Sequence, residues 1–340
     1  MAKNYISGAI ILILLFWDYS SKGQVVFDDT SLLRVKLEFG IQQVYTDVGN
    51  NPSYHNGYLS YENESGAIVR IPIEVKTRGI FRKNPTNCSQ PPLLIRFKPK
   101  ETANTIFEGI EKLKLVIPCQ RSKQYEYLVL KEYLAYKIYQ IISPYSYRVR
   151  LLQLSIVDLY YGNETTTYAF VVEPSELLAR RVGGVIRDAK NTHPNACNRN
   201  YYNKMAVFQY MIGHTDWSIK ALHNITLFEP EPFAPPIPVP FDFDFSGFVD
   251  APYALPAEHL PIKTVKERHF NGYCRPEQEY IEVFSYLMEL HDTIKHTINS
   301  FNHLPQHQRI ELNDYIDEFY EVIASDSKRK SKIITKCRTD

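Results

Sequence analysis

The period of the hydrophobic pattern changes along this chain, and that change limits the folds open to it. From position 24 to about position 100, apolar residues alternate or cluster in short runs: LLRVKLEF, AIVRIPIEVKTRGIF and PLLIRFKP. The stretches DVGNNPSYHNG and RKNPTNCSQPP divide them with turn residues, so the region reads as an antiparallel β unit. YEYLVLKEYLAYKIYQII then spaces its apolar residues as a helix does over 125–142, and SPYS at 143–146 ends it. RVRLLQLSIVDLYY and TTTYAFVVEP read as two strands of a hairpin joined at 162–164. PSEL at 174–177 opens a helix, NKMAVFQYMIGHTDW contains another, and from Pro276 the pattern is helical almost to the end. Sheet first and helices afterwards is the order of an α+β protein. The expectation is two lobes: a small β-rich N-lobe over 24–174, with one helix and a hairpin, and a mainly helical C-lobe over 175–325.

With 340 residues, 44% hydrophobic and 23% charged, the chain has ordinary globular composition. Its formal net charge of +1 offers no basic excess for a phosphate backbone, so nucleic acid is not an expected partner and any anion site must be local. The N-terminus, MAKNYISGAIILILLFWDYSSKGQ, sets Lys3 before an apolar run from Ala9 to Trp17 and small or polar residues after it. That is the pattern of a signal peptide over 1–23, cleaved near Ser21 to Gly23. The apolar run is short for a bilayer, so no membrane span is expected after cleavage. The mature protein is expected in the periplasm, at the cell surface or outside the cell.

Export favours disulfides for Cys88, Cys119, Cys197, Cys274 and Cys337, which lie far apart and form no CxxC pair. One pairing is Cys88 with Cys119 and Cys197 with Cys274, leaving Cys337 free; the spacing leaves other pairings open. The basic stretch at 326–340 reads as a solvated, frayed end. Asn63, Asn87, Asn163 and Asn224 sit in N-glycosylation sequons, which matter only in a host that glycosylates exported proteins.

HTDWSIKALHN at 214–224 and FDFDFSG at 241–247 place Asp216, Asn224, Asp242 and Asp244 among bulky aromatics. Hard oxygen donors of this kind suit Mg²⁺ or Mn²⁺ shared with nucleotide phosphates. On a strand Asp242 and Asp244 share one face, where two carboxylates repel unless a cation lies between them. The plainer reading is polar strand ends facing water. His214 reads as a structural hydrogen-bonding residue, and His223 carries no assignment.

Together, GHTDWSIKALHNITLF and PVPFDFDFSG resemble the paired active-site segments of the CotH-like atypical protein kinases, a HipA-like kinase fold. KTRGIFRKNPTNCSQPPLLIRFKP, FEGIEKLKLVIPCQ, the 125–142 helix, PYSYRVRLLQL and YAFVVEP follow in that family's order, so the resemblance covers about 75–252. It implies a two-lobed protein-kinase-like fold and phosphate transfer from ATP to protein or glycan hydroxyls, with Mg²⁺ or Mn²⁺. Asp216 would orient the hydroxyl or act as base, Asn224 and Asp242 would be metal ligands, and Asp244 a supporting acid. Arg78 and Gly79 would lie over the phosphates, Arg96 or Lys98 would supply a cation paired with Glu132, and Glu173 would lie at the adenine or metal edge. Eight positions separate Asp216 from Asn224, where most kinase-like chains have five, and RGIFR stands where the family often has Asn-Ser-Ser after the glycine. A pseudokinase or surface binding protein, and a secreted carboxylate hydrolase, are the competing readings.

Overall fold

A computed structural model describes residues 25–339; the expected signal peptide lies outside them. Seven strands close into one barrel: β1 (Leu33–Phe39), β2 (His55–Glu62), β3 (Ile68–Thr77), β4 (Leu93–Phe97), β5 (Lys112–Val116), β6 (Val149–Asp158) and β7 (Glu164–Val172). Around the barrel the order is β1-β2-β3-β4-β5-β7-β6. Neighbours are antiparallel except at the seam, where β6 lies parallel to β1 in register from Leu33 opposite Leu152 to Phe39 opposite Asp158. Alternate residues fill the interior: Val35, Leu37 and Phe39 from β1, Ile71, Ile73 and Val75 from β3, and Leu152, Leu154 and Ile156 from β6. Three helices accompany these strands: α1 (Val25–Asp28), α2 (Ile41–Thr46) and α3 (Lys123–Ile142).

The second half carries α4 (Ser175–Val182), β8 (Val185–Arg187), α5 (Arg199–Met211), β9 (Ile225–Glu229), β10 (Ile237–Pro240), α6 (Glu277–Glu289), α7 (His291–Asn299), α8 (Gln306–Ala324) and α9 (Asp326–Lys332). β8, β9 and β10 form a separate antiparallel sheet with β9 in the middle. This architecture corrects the expected two-lobed, kinase-like fold. The chain forms a closed seven-stranded mixed barrel with helices packed on it, not a small open sheet lobe leading into a helical lobe. The β6–β1 pairing closes the sheet, and the outer faces of β6 and β7, through Val149, Leu151, Phe170 and Val172, share one core with α3 and the later helices.

That packing explains the apolar run in β6, whose first half is buried on both faces. It also explains α3, which is buried almost all round because it lies between the barrel and the C-terminal helices. Two polar residues are buried with it, Lys131 and Glu132.

Disulfides join Cys88 to Cys119 and Cys274 to Cys337, and Cys197 is a buried free thiol. The second bridge replaces the expected Cys197–Cys274 pair. It holds the C-terminal stretch as ordered structure: Ile333 is fully buried, and Cys274 and Arg338 exchange backbone bonds with the opposite segment, to Arg338 O and Gly272 O respectively. The two bridges fit an oxidising, exported setting. Among the described residues no helix is long and apolar enough to cross a membrane.

Candidate functional site

Two loops carry the expected acids, and two glycines let them cross. The loop after α5 passes Gly213, with φ of 64°, and its Gly213 O and Ile212 O accept hydrogen bonds from Gly247 N–H (3.2 Å) and Phe248 N–H (3.0 Å) of the facing loop. A Cβ on Gly213 would lie 2.1 Å from Tyr315 Oη, and one on Gly247 would lie 2.3 Å from the same atom. Only hydrogen at both positions leaves room for that phenol. The crossing fixes the segment of Asp216 against the segment of Asp242 and Asp244.

The longer spacing between Asp216 and Asn224 is absorbed by a tight turn. Ser218 and His223 exchange both backbone hydrogen bonds, at 3.0 and 2.9 Å, and Leu222 and Asn224 adopt positive φ values of 51° and 53°. Asn224 therefore returns to Asp216: its Nδ2 donates to Asp216 O (2.8 Å) and Asp216 Oδ2 (3.2 Å). Asn224 O accepts from Phe241 N–H at 3.0 Å, which ties the turn to the residue before Asp242. His223 Nε2 lies 2.9 Å from Asp216 Oδ1. Burial pushes the Asp216 carboxyl up, but the His223 hydrogen bond and charge, with His214 and Asn224, hold it below its usual range. His223 is raised in turn, first by that hydrogen bond. His214 has a different role: it is 1% exposed, its Nδ1 lies 3.0 Å from Gln209 Oε1, and burial lowers its pKa to about 4.

Behind this pair lies a buried acid cluster. Asp242, with φ of 63°, donates its N–H to Tyr136 Oη on α3 at 2.8 Å. Asp244 is 7% exposed and accepts from Tyr253 Oη at 3.0 Å. Burial, then the charge of Asp242, push the Asp244 carboxyl up to about 6. Glu132, also buried, is held well above the usual carboxylate range by burial and by Asp244 and Asp242, and its Oε1 has no hydrogen-bond partner. Carboxyls that raise one another in this way compete for charge unless a cation joins them.

Arg82, the second arginine of RGIFR, supplies one cation. Its Nη1 lies 3.8 Å from Asp244 Oδ2, and its Nη2 donates to Ile117 O. Burial lowers the Arg82 pKa, but Tyr253, Asp244, Glu132 and Asp242 outweigh that and hold it above its ordinary value. Beside it Phe81 packs on Phe245 and Tyr253, with ring centroids 5.3 and 5.8 Å apart. Lys114 on β5 is the second cation. Its side chain is exposed, yet protein surrounds it closely enough for burial, with Arg78, to lower its pKa, while Asp242 and Glu176 oppose. Its ammonium also lies 4.8 Å from the centre of the Phe241 ring.

Five expected positions therefore meet in one electrostatic field: Asp216, Asn224, Asp242, Asp244 and Glu132, with Arg78 beside them. The others lie apart from it. Arg96 is held by Glu74, at 2.6 Å, and by the Tyr54 ring, so it is not the cation that reaches Glu132. Lys98 is exposed beyond the end of β4, and Glu173 is buried in a pair with Arg181 (2.8 Å), also accepting from Arg148 N–H. Gly79, with φ of 79° and open space around it, starts the loop that carries Phe81 and Arg82. Sequence reasoning passed over Lys114 and Arg82, although KLKLV and RGIFR contain them. It also passed over Tyr136, Tyr253 and the His223–Asp216 pair.

Open clefts lie elsewhere, one of about 600 Å³ on the outer face of β1, β2, β6 and β7 and one of about 380 Å³ between α5 and α6. Chemistry outweighs volume here, because Phe81 and Arg82 fill space above the carboxylates. Among the described residues no group of three or more His, Cys, Asp or Glu side chains forms a ready-made metal cage. Mg²⁺ seldom needs one: it binds through one or two carboxylates and keeps water and phosphate as its other ligands. The unpartnered Glu132 Oε1 and the raised Asp244 carboxyl mark acids that ionise reluctantly where they lie, and a cation beside them would favour their charged form. The chain matches no protein-family model and no curated protein.

Proposed function

We propose that this protein is an exported phosphotransferase, moving a phosphoryl group from a nucleoside triphosphate to a hydroxyl of a protein or glycan in the periplasm or at the cell surface. One observation carries the reading: a solvent-accessible carboxylate, Asp216, adjoins a buried acid cluster that is flanked by the cations Arg78, Arg82 and Lys114. The resemblance of 214–246 to CotH-like kinases points to the same chemistry and rests on the site alone.

In this reading Asp242, with Asn224 Oδ1, would hold the divalent ion, whose part is to neutralise charge on the phosphates. Lys114, exposed on the outer face of β5, binds phosphate oxygens from the barrel side. Asp216, kept ionised by His223, accepts the hydrogen bond of the attacking hydroxyl and then its proton.

A second reading is a binding protein without catalysis. Arg82, already seated against Asp244, favours it. Titration of the mature protein with a fluorescent ATP analogue in Mg²⁺ or Mn²⁺, followed by γ-phosphate incorporation, separates the two. Lys114→Met should weaken nucleotide binding at least about tenfold, a lost charge-assisted contact. Asp216→Ala should keep binding and lose at least about a hundredfold in transfer. Binding without transfer in the wild type selects the second reading, and absence of nucleotide binding refutes the first.

A further inference from the structure

Lys131 lies on α3 next to Glu132 but faces a different part of the molecule. It is 8% exposed, and among the described residues its ammonium makes no hydrogen bond or ion pair. It lines a cleft of about 320 Å³ between α3, the 247–250 loop and α8. A buried, unpaired ammonium is costly, and this one is not sealed in. Burial lowers its pKa, Glu311 and Asp250 partly offset that, and Lys266 adds to it.

The charges around the cleft are of both signs and are arranged by depth. Lys131 lines the wall together with Phe248 and Leu312, while Glu311 and Asp314 are exposed on α8, three residues apart on one face of that helix, with Glu311 Oε2 also accepting from Gln308 Nε2 at 3.0 Å. The other charges there are spent: Lys266 pairs with Asp250 at 2.9 Å, and Glu318 with Arg268 at 2.9 Å. A simple anion would meet Lys131 but pass two carboxylates. A simple cation would meet those carboxylates but face Lys131. A molecule carrying both charges satisfies each.

We infer that this cleft binds a small zwitterion, a free α-amino acid, with its carboxylate on Lys131 and its ammonium between Glu311 and Asp314. The volume is enough for one such molecule. Gly247, Phe248 and Asp250 belong to the segment that carries Asp244, so an occupant touches the loop of the acid cluster from its far side. The inference does not depend on phosphoryl transfer, because it concerns the nucleotide-free protein.

Calorimetric titration of the mature protein with free α-amino acids, and with acetate and methylamine as single-charge controls, tests it. At least one amino acid should bind with a Kd below about 1 mM, and both controls at least about tenfold more weakly. Lys131→Met, which keeps the bulk of the side chain, should weaken the amino acid at least about tenfold. Glu311→Gln with Asp314→Asn, both exposed positions that leave the fold intact, should weaken the amino acid while strengthening acetate. That reversal of sign is not produced by loss of structure. No amino-acid binding up to about 10 mM, acetate equal to the amino acid, or weaker acetate binding in the double variant overturns the inference.

Discussion

Replacing Asp244 with asparagine keeps the shape of a buried side chain and removes one charge from the acid cluster. The carboxyl would ordinarily release its proton near 3.8 and does so near about 6 in the folded protein, held there by burial and then by Asp242. A gap of that size corresponds to about 3 kcal/mol. The folded state binds this proton more tightly than the unfolded chain does. Its contribution to stability is therefore fully present below the ordinary carboxylate pKa, and it is lost as pH rises through about 6. Asparagine never loses a proton, so it escapes that loss.

The difference between variant and wild type isolates Asp244, because carboxylates held low elsewhere, such as Glu74 and Asp317, titrate in both proteins. Urea unfolding followed by circular dichroism from pH 4 to pH 7.5 should show near-equal stability at the acid end. The variant should gain as pH rises, up to about 3 kcal/mol. Glu132 shares the same field and Arg82 loses its nearest carboxylate, so the gain falls below that ceiling. Mn²⁺ at pH 7.5 should stabilise the wild type and have less effect on the variant, since the ion relieves the charge that asparagine has already removed. A pH-independent difference, or a variant that loses ground as pH rises, would refute the account of the cluster.

Three further outcomes follow from the frame around the site. Cys274→Ser with Cys337→Ser opens a bridge between residues 63 positions apart and should cost about 4 kcal/mol on the chain-entropy account, read as a lower urea midpoint; an unchanged midpoint contradicts it. The native protein should give no thiol signal with Ellman's reagent and one thiol per chain once unfolded, because Cys197 is buried and burial pushes its pKa up to about 12; a fast native reaction would place that cysteine elsewhere. Gly247→Ala sets a methyl group 2.3 Å from Tyr315 Oη and 2.4 Å from Val265 O, and it should lower thermal stability by at least about 2 kcal/mol. Wild-type melting in that variant would mean the two loops do not cross as described.

The features legible in the sequence are those fixed by neighbours in the chain. α3 runs from Lys123 to Ile142, where helical spacing starts at Tyr125, and β6 and β7 pair as a hairpin around 159–163. The seam that closes the barrel joins residues more than a hundred positions apart, and alternation reports a buried face without naming the strand beside it. The same limit separates two cations of the site region. Arg96 on β4 and Lys114 on β5 both point outward from the barrel by alternation, and nothing local ranks one above the other. Register decides. Arg96 lies directly opposite Glu74 on β3 and is consumed by that cross-strand pair, whereas Lys114 lies opposite Leu94 and Val172, which offer it no charge. Phe241 and Asp242 then come to Lys114 from the far half of the chain, so its positive charge meets Asp242 rather than a cross-strand partner. Glu132 follows the same logic in reverse: on a helix it would be solvated, and burial of α3 between barrel and helices turns it into an acid that holds its proton well above the usual carboxylate range.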